Sequence, residues 1–128
     1  MLSGEITLRV RYAETDRMGL LHHANYLVYF EMGRIELLRS QGMTYKDLED
    51  QGYLLVLTRI QVRYRKPARY DDLLTLVTTA VRTGAVKIDH KYELYREGEL
   101  LAEGESTLGC ITREGEVQEL PEVLRNRE

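Results

Sequence analysis

The 128-residue chain has no tryptophan, one phenylalanine, one cysteine and two prolines. The lone cysteine, Cys110, leaves no internal disulfide and no thiolate cluster for zinc. With so little proline (Pro67 and Pro121), and with no repeat or low-complexity tract, nothing divides the chain. One domain over residues 1–128 is expected. No apolar run approaches the ~20 residues of a spanning helix. The start, Met1-Leu2-Ser3-Gly4-Glu5, lacks the basic and apolar regions of a secretory leader, so a cytoplasmic protein is expected. Charge of one sign is lacking too. A net charge of −3 gives no global pull toward nucleic acid or an anionic membrane. Neither a Walker loop nor a dinucleotide-binding glycine pattern occurs, so NTP and NAD roles have no support.

What is present is a soluble globular balance, with 43% hydrophobic and 30% charged residues. Ile6, Leu8, Val10 and Tyr12 alternate with polar residues, predicting a half-buried strand over 5–13. A polar, glycine-containing segment follows from Glu14 to Gly19. Residues 25–41 read as a helix stopped by Gly42. Tyr26, Phe30, Gly33 and Leu37 share one face of it, and Leu27, Ile35 and Leu38 lie well round from them. A helix this apolar round its girth is expected to be enclosed by other structure. Thr44 to Gln51 reads as a short second helix, with Thr44 as cap and Asp47 at the capping-box position.

Strands are predicted over 54–64, 73–82, 86–95 and 100–112. Thr83-Gly84-Ala85 and Glu97-Gly98-Glu99 supply hairpin turns between the last three. Residues 121–128 are charged and expected to be frayed or weakly helical. The outcome is an α+β class: a five-stranded antiparallel sheet with one long helix against it.

Chemistry is expected where the first strand meets the helix. Thr15-Asp16-Arg17-Met18-Gly19-Leu20-Leu21-His22-His23-Ala24-Asn25-Tyr26 places a carboxylate, a glycine and two adjacent histidines before a helix start. Unpaired N–H groups there carry partial positive charge and can hold a carbonyl oxygen as it becomes an oxyanion. A carboxylate opposite could attack the carbonyl carbon or activate water. These parts suit acyl transfer. The bland alternative for Asp16 is a turn-capping aspartate. The histidines are adjacent rather than spaced for one metal on a helix face, so no metal is expected.

These residues resemble a known family. Arg9-Val10, Thr15-Asp16, Gly19 and His22-His23-Ala24-Asn25-Tyr26 look like the signature of 4-hydroxybenzoyl-CoA thioesterase-like hotdog proteins. Tyr29-Phe30-Glu31-Met32-Gly33-Arg34 and the stretch from Arg65 to Asp72 extend the likeness, which is nearest to the YbgC-like acyl-CoA thioesterase branch. The resemblance covers nearly the whole chain in element order. It implies a hotdog fold, with the sheet wrapped around the central helix. It also implies hydrolysis of an acyl-CoA to a carboxylate and free CoA, with no cofactor. Asp16 falls on the catalytic aspartate, as nucleophile or general base. His23 falls on the position whose backbone N–H polarises the thioester carbonyl. Tyr12, Gly19, His22, Asn25 and Tyr26 are then candidates to line the substrate site, although Asn25 could simply cap the helix.

Arg59, Arg63, Arg65, Lys66 and Arg69 form a basic cluster. Arg63, Arg65 and Lys66 are candidate contacts for the CoA phosphates, against the plain alternative of a solvated strand face. Glu31 is a rival carboxylate, but Arg34 three residues on makes an ion pair the simpler expectation. His90 and Cys110 are expected to be packed rather than catalytic. Two rival functions share the fold: a non-catalytic acyl-CoA binder, and a dehydratase or hydratase acting on CoA or carrier-protein thioesters. A sheet this small has edge strands that need cover. The resemblance sharpens this into a homo-oligomer: it implies a dimer joined edge to edge, with dimers paired into a homotetramer.

Overall fold

The computed structural model describes residues 2–125. Strand β1 (Leu2–Arg9) leads through a one-turn 3-10 helix (Tyr12–Glu14) to helix α1 (Asn25–Arg39) and helix α2 (Tyr45–Asp50). Strands β2 (Leu54–Tyr64), β3 (Leu73–Thr83), β4 (Lys87–Arg96) and β5 (Glu99–Ile111) follow, then a short helix α3 (Glu122–Arg125). The sheet runs β1-β3-β4-β5-β2, antiparallel throughout, with β1 and β2 at its edges. With α1 on one face, this is the hotdog arrangement that the resemblance implies. No described helix is long and apolar enough to cross a membrane.

Period-two alternation selects the face that α1 covers. Ile88, His90, Tyr92 and Leu94 of β4 and Ala102, Gly104, Ser106 and Leu108 of β5 point inward. Tyr26, Phe30, Gly33 and Leu37 of α1 meet that face, as their spacing predicts. Two close approaches need glycine. A Cβ on Gly104 would stand 2.6 Å from Phe30 Cε2, where the Phe30 ring stacks on Tyr92 with centroids 4.3 Å apart. A Cβ on Gly33 would fall on the Thr78 hydroxyl and 2.8 Å from Leu76 Cδ2.

Three expectations need correction. The first strand stops at Arg9, because Val10 turns to pair with Asp72 and the chain then enters the 3-10 turn. Alternation breaks there, so Tyr12 faces outward at 78% exposure and Glu14 is buried. Helix α1 is not enclosed on all sides: Val28 and Met32 are exposed in the single chain. Glu31 makes no ion pair with Arg34. Arg34 is buried instead and donates from Nη1 to the Tyr92 hydroxyl at 2.9 Å, and that hydroxyl also meets Ser106 Oγ. The C-terminal segment is weakly helical over Glu122–Arg125, one of its two expected forms, and is docked as far as it is described. Leu120 and Leu124 are fully buried against Leu38, Leu48, Ile88 and Cys110. The expected fraying of 126–128 lies outside the described residues.

The remaining local readings hold. Thr44 accepts the Asp47 N–H and caps α2. Gly42, at φ +80°, ends α1 with its N–H on Arg39 O. Glu97 and Gly98 both take positive φ, which the two-residue hairpin between β4 and β5 requires.

Candidate active site

The segment between the 3-10 turn and α1 is a tight loop fastened at both ends. Asp16 and Leu20 close it, with the Asp16 N–H on Leu20 O at 2.8 Å. Gly19 bridges the turn at φ +80°, and its N–H donates to Asp16 O at 3.0 Å. The far side is stapled to the stretch after β2 by the Leu21 N–H on Ala68 O at 2.8 Å. The Asp16 carboxylate divides its duties. Oδ1 accepts the N–H groups of Met18 (2.8 Å) and Leu20 (3.2 Å), which is the turn-capping role. Oδ2 accepts no hydrogen bond among the described residues.

Helix α1 begins with no side-chain cap on its N-cap residue, Ala24. His22 Nδ1 takes the Ala24 N–H at 3.2 Å, and the two imidazoles stack 4.1 Å apart. The His23 N–H donates to no group among the described residues. The Tyr64 hydroxyl, from the end of β2, donates to the His23 carbonyl at 3.0 Å. The Tyr64 ring stands edge-on to Tyr26 at 4.8 Å. Burial pushes the Tyr26 phenol above its ordinary range, which keeps it neutral.

These parts surround one depression of about 360 Å³. Asp16, Leu20, Leu21 and His23 line one side of it. Tyr26 and Tyr64 are at its wall, and Arg65, Lys66 and Pro67 form the rest. Asp16 with a free carboxylate oxygen, His23 with an unengaged N–H just before the helix, and two cations therefore line one open, partly apolar hollow. That combination can position a carbonyl, stabilise charge on its oxygen, and attack it or activate water.

The structure thus brings together Asp16, His23, Tyr26, Arg65 and Lys66. Gly19 shapes the loop without lining the hollow. His22 serves the helix start. With Gly19 and His22, three further candidate substrate residues, Tyr12, Asn25 and Arg63, do not line the hollow in the single chain. Tyr12 lies outside the hollow, edge-on to Tyr70 at 5.5 Å, because the 3-10 turn reverses its direction. Asn25 spends its amide on Glu14 O at 3.0 Å. Arg63 lies on the outer face of the sheet, beside Gln61, Lys91 and Glu103; Arg65, expected on the same face, comes after the end of β2 and reaches the hollow's rim. Arg65 and Lys66 are themselves paired, with Glu103 (3.1 Å) and Glu99 (2.5 Å). Those pairs are exposed, so phosphate can compete for them.

Two residues that sequence reasoning passed over belong here: Tyr64, on the His23 carbonyl, and Glu14, beneath the loop. Alternation puts Tyr64 on the face of Ile60 and Val62 but does not point it to the His23 carbonyl, and nothing in it marks Glu14. His90 and Cys110 are buried as expected, and burial pushes the Cys110 thiol above its ordinary range. No group of His, Cys, Asp and Glu among the described residues could hold a metal.

Comparison with known proteins gives the same direction. The model of the thioesterase-like superfamily matches residues 10–127. The Bacillus subtilis (strain 168) protein YneP is 37% identical over 108 residues, covering 84% of this chain and 78% of that one. The acyl-CoA thioester hydrolase YbgC of Escherichia coli O6:H1 is 31% identical over 106 residues, covering 81% and 78%. Among solved structures, a DHNA-CoA thioesterase from Staphylococcus aureus superposes with a TM-score of 0.87 at 31% identity, covering 94% of this chain and 80% of that one.

Proposed function

The chain belongs to the thioesterase-like superfamily, and from that premise we propose that it is an acyl-CoA thioesterase with Asp16 at its centre. The reaction is hydrolysis of the thioester to a carboxylate and free CoA. One observation carries the assignment of residues: Asp16, with Oδ2 unoccupied, and His23, with its N–H unengaged, line the same hollow at the start of α1. The thioester carbonyl points its oxygen at the His23 N–H and the helix start. Negative charge developing there is stabilised by donors already in place. Oδ2 either attacks the carbonyl carbon, giving a mixed anhydride that water then cleaves, or takes a proton from the attacking water. In both routes the C–S bond breaks, CoA leaves as its thiolate, and water supplies the proton and the hydroxyl.

Arg65 and Lys66 at the rim receive the charged end of CoA. No cofactor takes part. The hollow is open, and β2, whose last residue Tyr64 lines it, is an edge strand. A second copy pairing along that edge would bring its own groups to the hollow and cover Leu57, which is exposed in the single chain. The working unit in this reading is a single-domain chain acting as a cytosolic homo-oligomer, a dimer or a pair of dimers.

Release of free thiol from a panel of aliphatic and aromatic acyl-CoAs tests the activity. Turnover is expected with the parent protein and a loss of ~10²-fold or more in Asp16→Ala. Normal turnover in Asp16→Ala would overturn the assignment. Light scattering tests the assembly: a fully active protein with the mass of one 14.9 kDa chain would refute it.

A further inference from the structure

We propose that Glu14 is the positioning residue of this site, clamping the Asp16 loop and the start of α1 to one another. The proposal rests on the reading of Asp16 and His23 just given.

Glu14 is 7% exposed, at the end of the 3-10 turn and two residues before Asp16. Its carboxylate Oε1 accepts two hydrogen bonds, from the Arg11 N–H at 2.8 Å and from the Tyr29 hydroxyl at 2.7 Å. Its main-chain oxygen accepts two more, from the His22 N–H at 2.9 Å and from Asn25 Nδ2 at 3.0 Å. One residue thus holds the chain before Asp16, the residue before His23, and the first and second turns of α1. Tyr29 is 2% exposed on the packed face of that helix, so the anchor is rigid.

The charge partner cannot account for the burial. Arg11 Nη2 reaches Oε2 at 3.1 Å, but the Arg11 side chain is 75% exposed, and such pairs contribute little. A buried carboxylate needs its acceptors filled. Here the filling donors come from the two elements that must be held in register. Burial pushes the Glu14 carboxyl up, yet the Arg11 N–H, the Tyr29 hydroxyl and the guanidinium outweigh it and hold the group below its ordinary range. Burial and the same carboxylate raise the Tyr29 phenol, so it stays a donor. A displacement of about 1 Å between nucleophile and oxyanion donor can cost on the order of 10²-fold in rate. Loss of this clamp frees that displacement.

The design of the contacts supplies the test. Both critical donors converge on Oε1, which glutamine retains. In Glu14→Gln, kcat is expected within about threefold of the parent. In Glu14→Ala, kcat should fall ~10- to 10²-fold with KM nearly unchanged, and in Tyr29→Phe about tenfold. Amide hydrogen exchange across 16–25 should quicken in Glu14→Ala and Tyr29→Phe but not in Glu14→Gln. A merely structural role would lower the melting temperature without this split between kcat and KM or the rescue by glutamine. The proposal is overturned if Glu14→Ala keeps kcat within twofold, if Glu14→Gln falls as far as Glu14→Ala, or if only KM moves. Should Glu14→Ala fail to fold, an unchanged kcat in Tyr29→Phe overturns it. If the parent releases no thiol from any acyl-CoA, the thioesterase reading fails instead. Hydrogen exchange then still decides the clamp: unchanged exchange at His22 in Tyr29→Phe refutes it.

Discussion

Replacing Asp16 by asparagine separates the two duties of its carboxylate. Asn keeps an acceptor at Oδ1 for the Met18 and Leu20 N–H groups, which stand at 2.8 and 3.2 Å. It removes the charge and basicity at Oδ2. The loop should therefore persist while the chemistry is lost. General acid–base work is worth ~10²- to 10⁴-fold, so kcat should fall by at least 10², about 2.7 kcal/mol of barrier. Stability should stay within about 0.5 kcal/mol, as for a surface change that keeps its hydrogen bonds. Asp16→Ala removes both acceptor contacts as well. Loss of a capping side chain costs about 1 kcal/mol, with a range of roughly 0.5–2. For a chain of this size that is a fall in Tm of about 3–6 °C. The assay is single-turnover and steady-state thiol release for kcat and KM, beside thermal melts of the same samples. Two variants equally inactive but separated in Tm are the expected result. Turnover in Asp16→Asn within threefold of the parent would refute the reasoning, because the open Oδ2 would then have no part in the reaction.

Other expectations follow from particular contacts. His23→Ala keeps the main-chain N–H, so kcat should fall less than about tenfold; a loss of ~10³-fold would make the imidazole the acid or base. Gly33→Ala adds a methyl against Thr78 and Leu76. It should lower stability by about 1–3 kcal/mol in urea unfolding despite alanine's helix propensity, and an unchanged midpoint would contradict the close approach. The depressed Glu14 carboxyl stabilises the fold above its unfolded pKa, about 4.3, and that stability is lost as pH falls through the lower folded value. Acid titration of Glu14→Gln should therefore show a shallower loss of stability below about pH 4.5 than the parent; parallel curves would show that this carboxylate is not linked to folding.

Much of the architecture was legible because it is local. Alternation in β2 to β5, the hairpin glycines and the Thr44 cap depend on neighbours along the chain. The face of α1 carrying Tyr26, Phe30, Gly33 and Leu37 follows from helical spacing alone. The Asp16 to Tyr26 segment stood out as a candidate site, since its residue types suit acyl transfer and its likeness to a family is specific. Other features were not legible, because they depend on what lies across the fold. Tyr12 continues the strand pattern perfectly, yet it points outward because Val10 pairs with Asp72 and the chain turns. Arg34 sits three residues from Glu31, a spacing that favours an ion pair. The Tyr92 hydroxyl beneath the helix wins it instead.

By itself, then, the sequence determined the order of elements, the inward faces and the loop on which a carboxylate precedes a helix start. These are consequences of periodicity and of residue chemistry at short range. Tertiary structure decided which members of that loop meet. It set Asp16 and His23 on one hollow, and brought Tyr64, Arg65 and Lys66 there from the far end of β2. It sent Arg63 to the other face and buried Glu14 under the loop. The physical reason is that a hydrogen bond or a buried charge is settled by distance in space, and the chain reports only distance along itself.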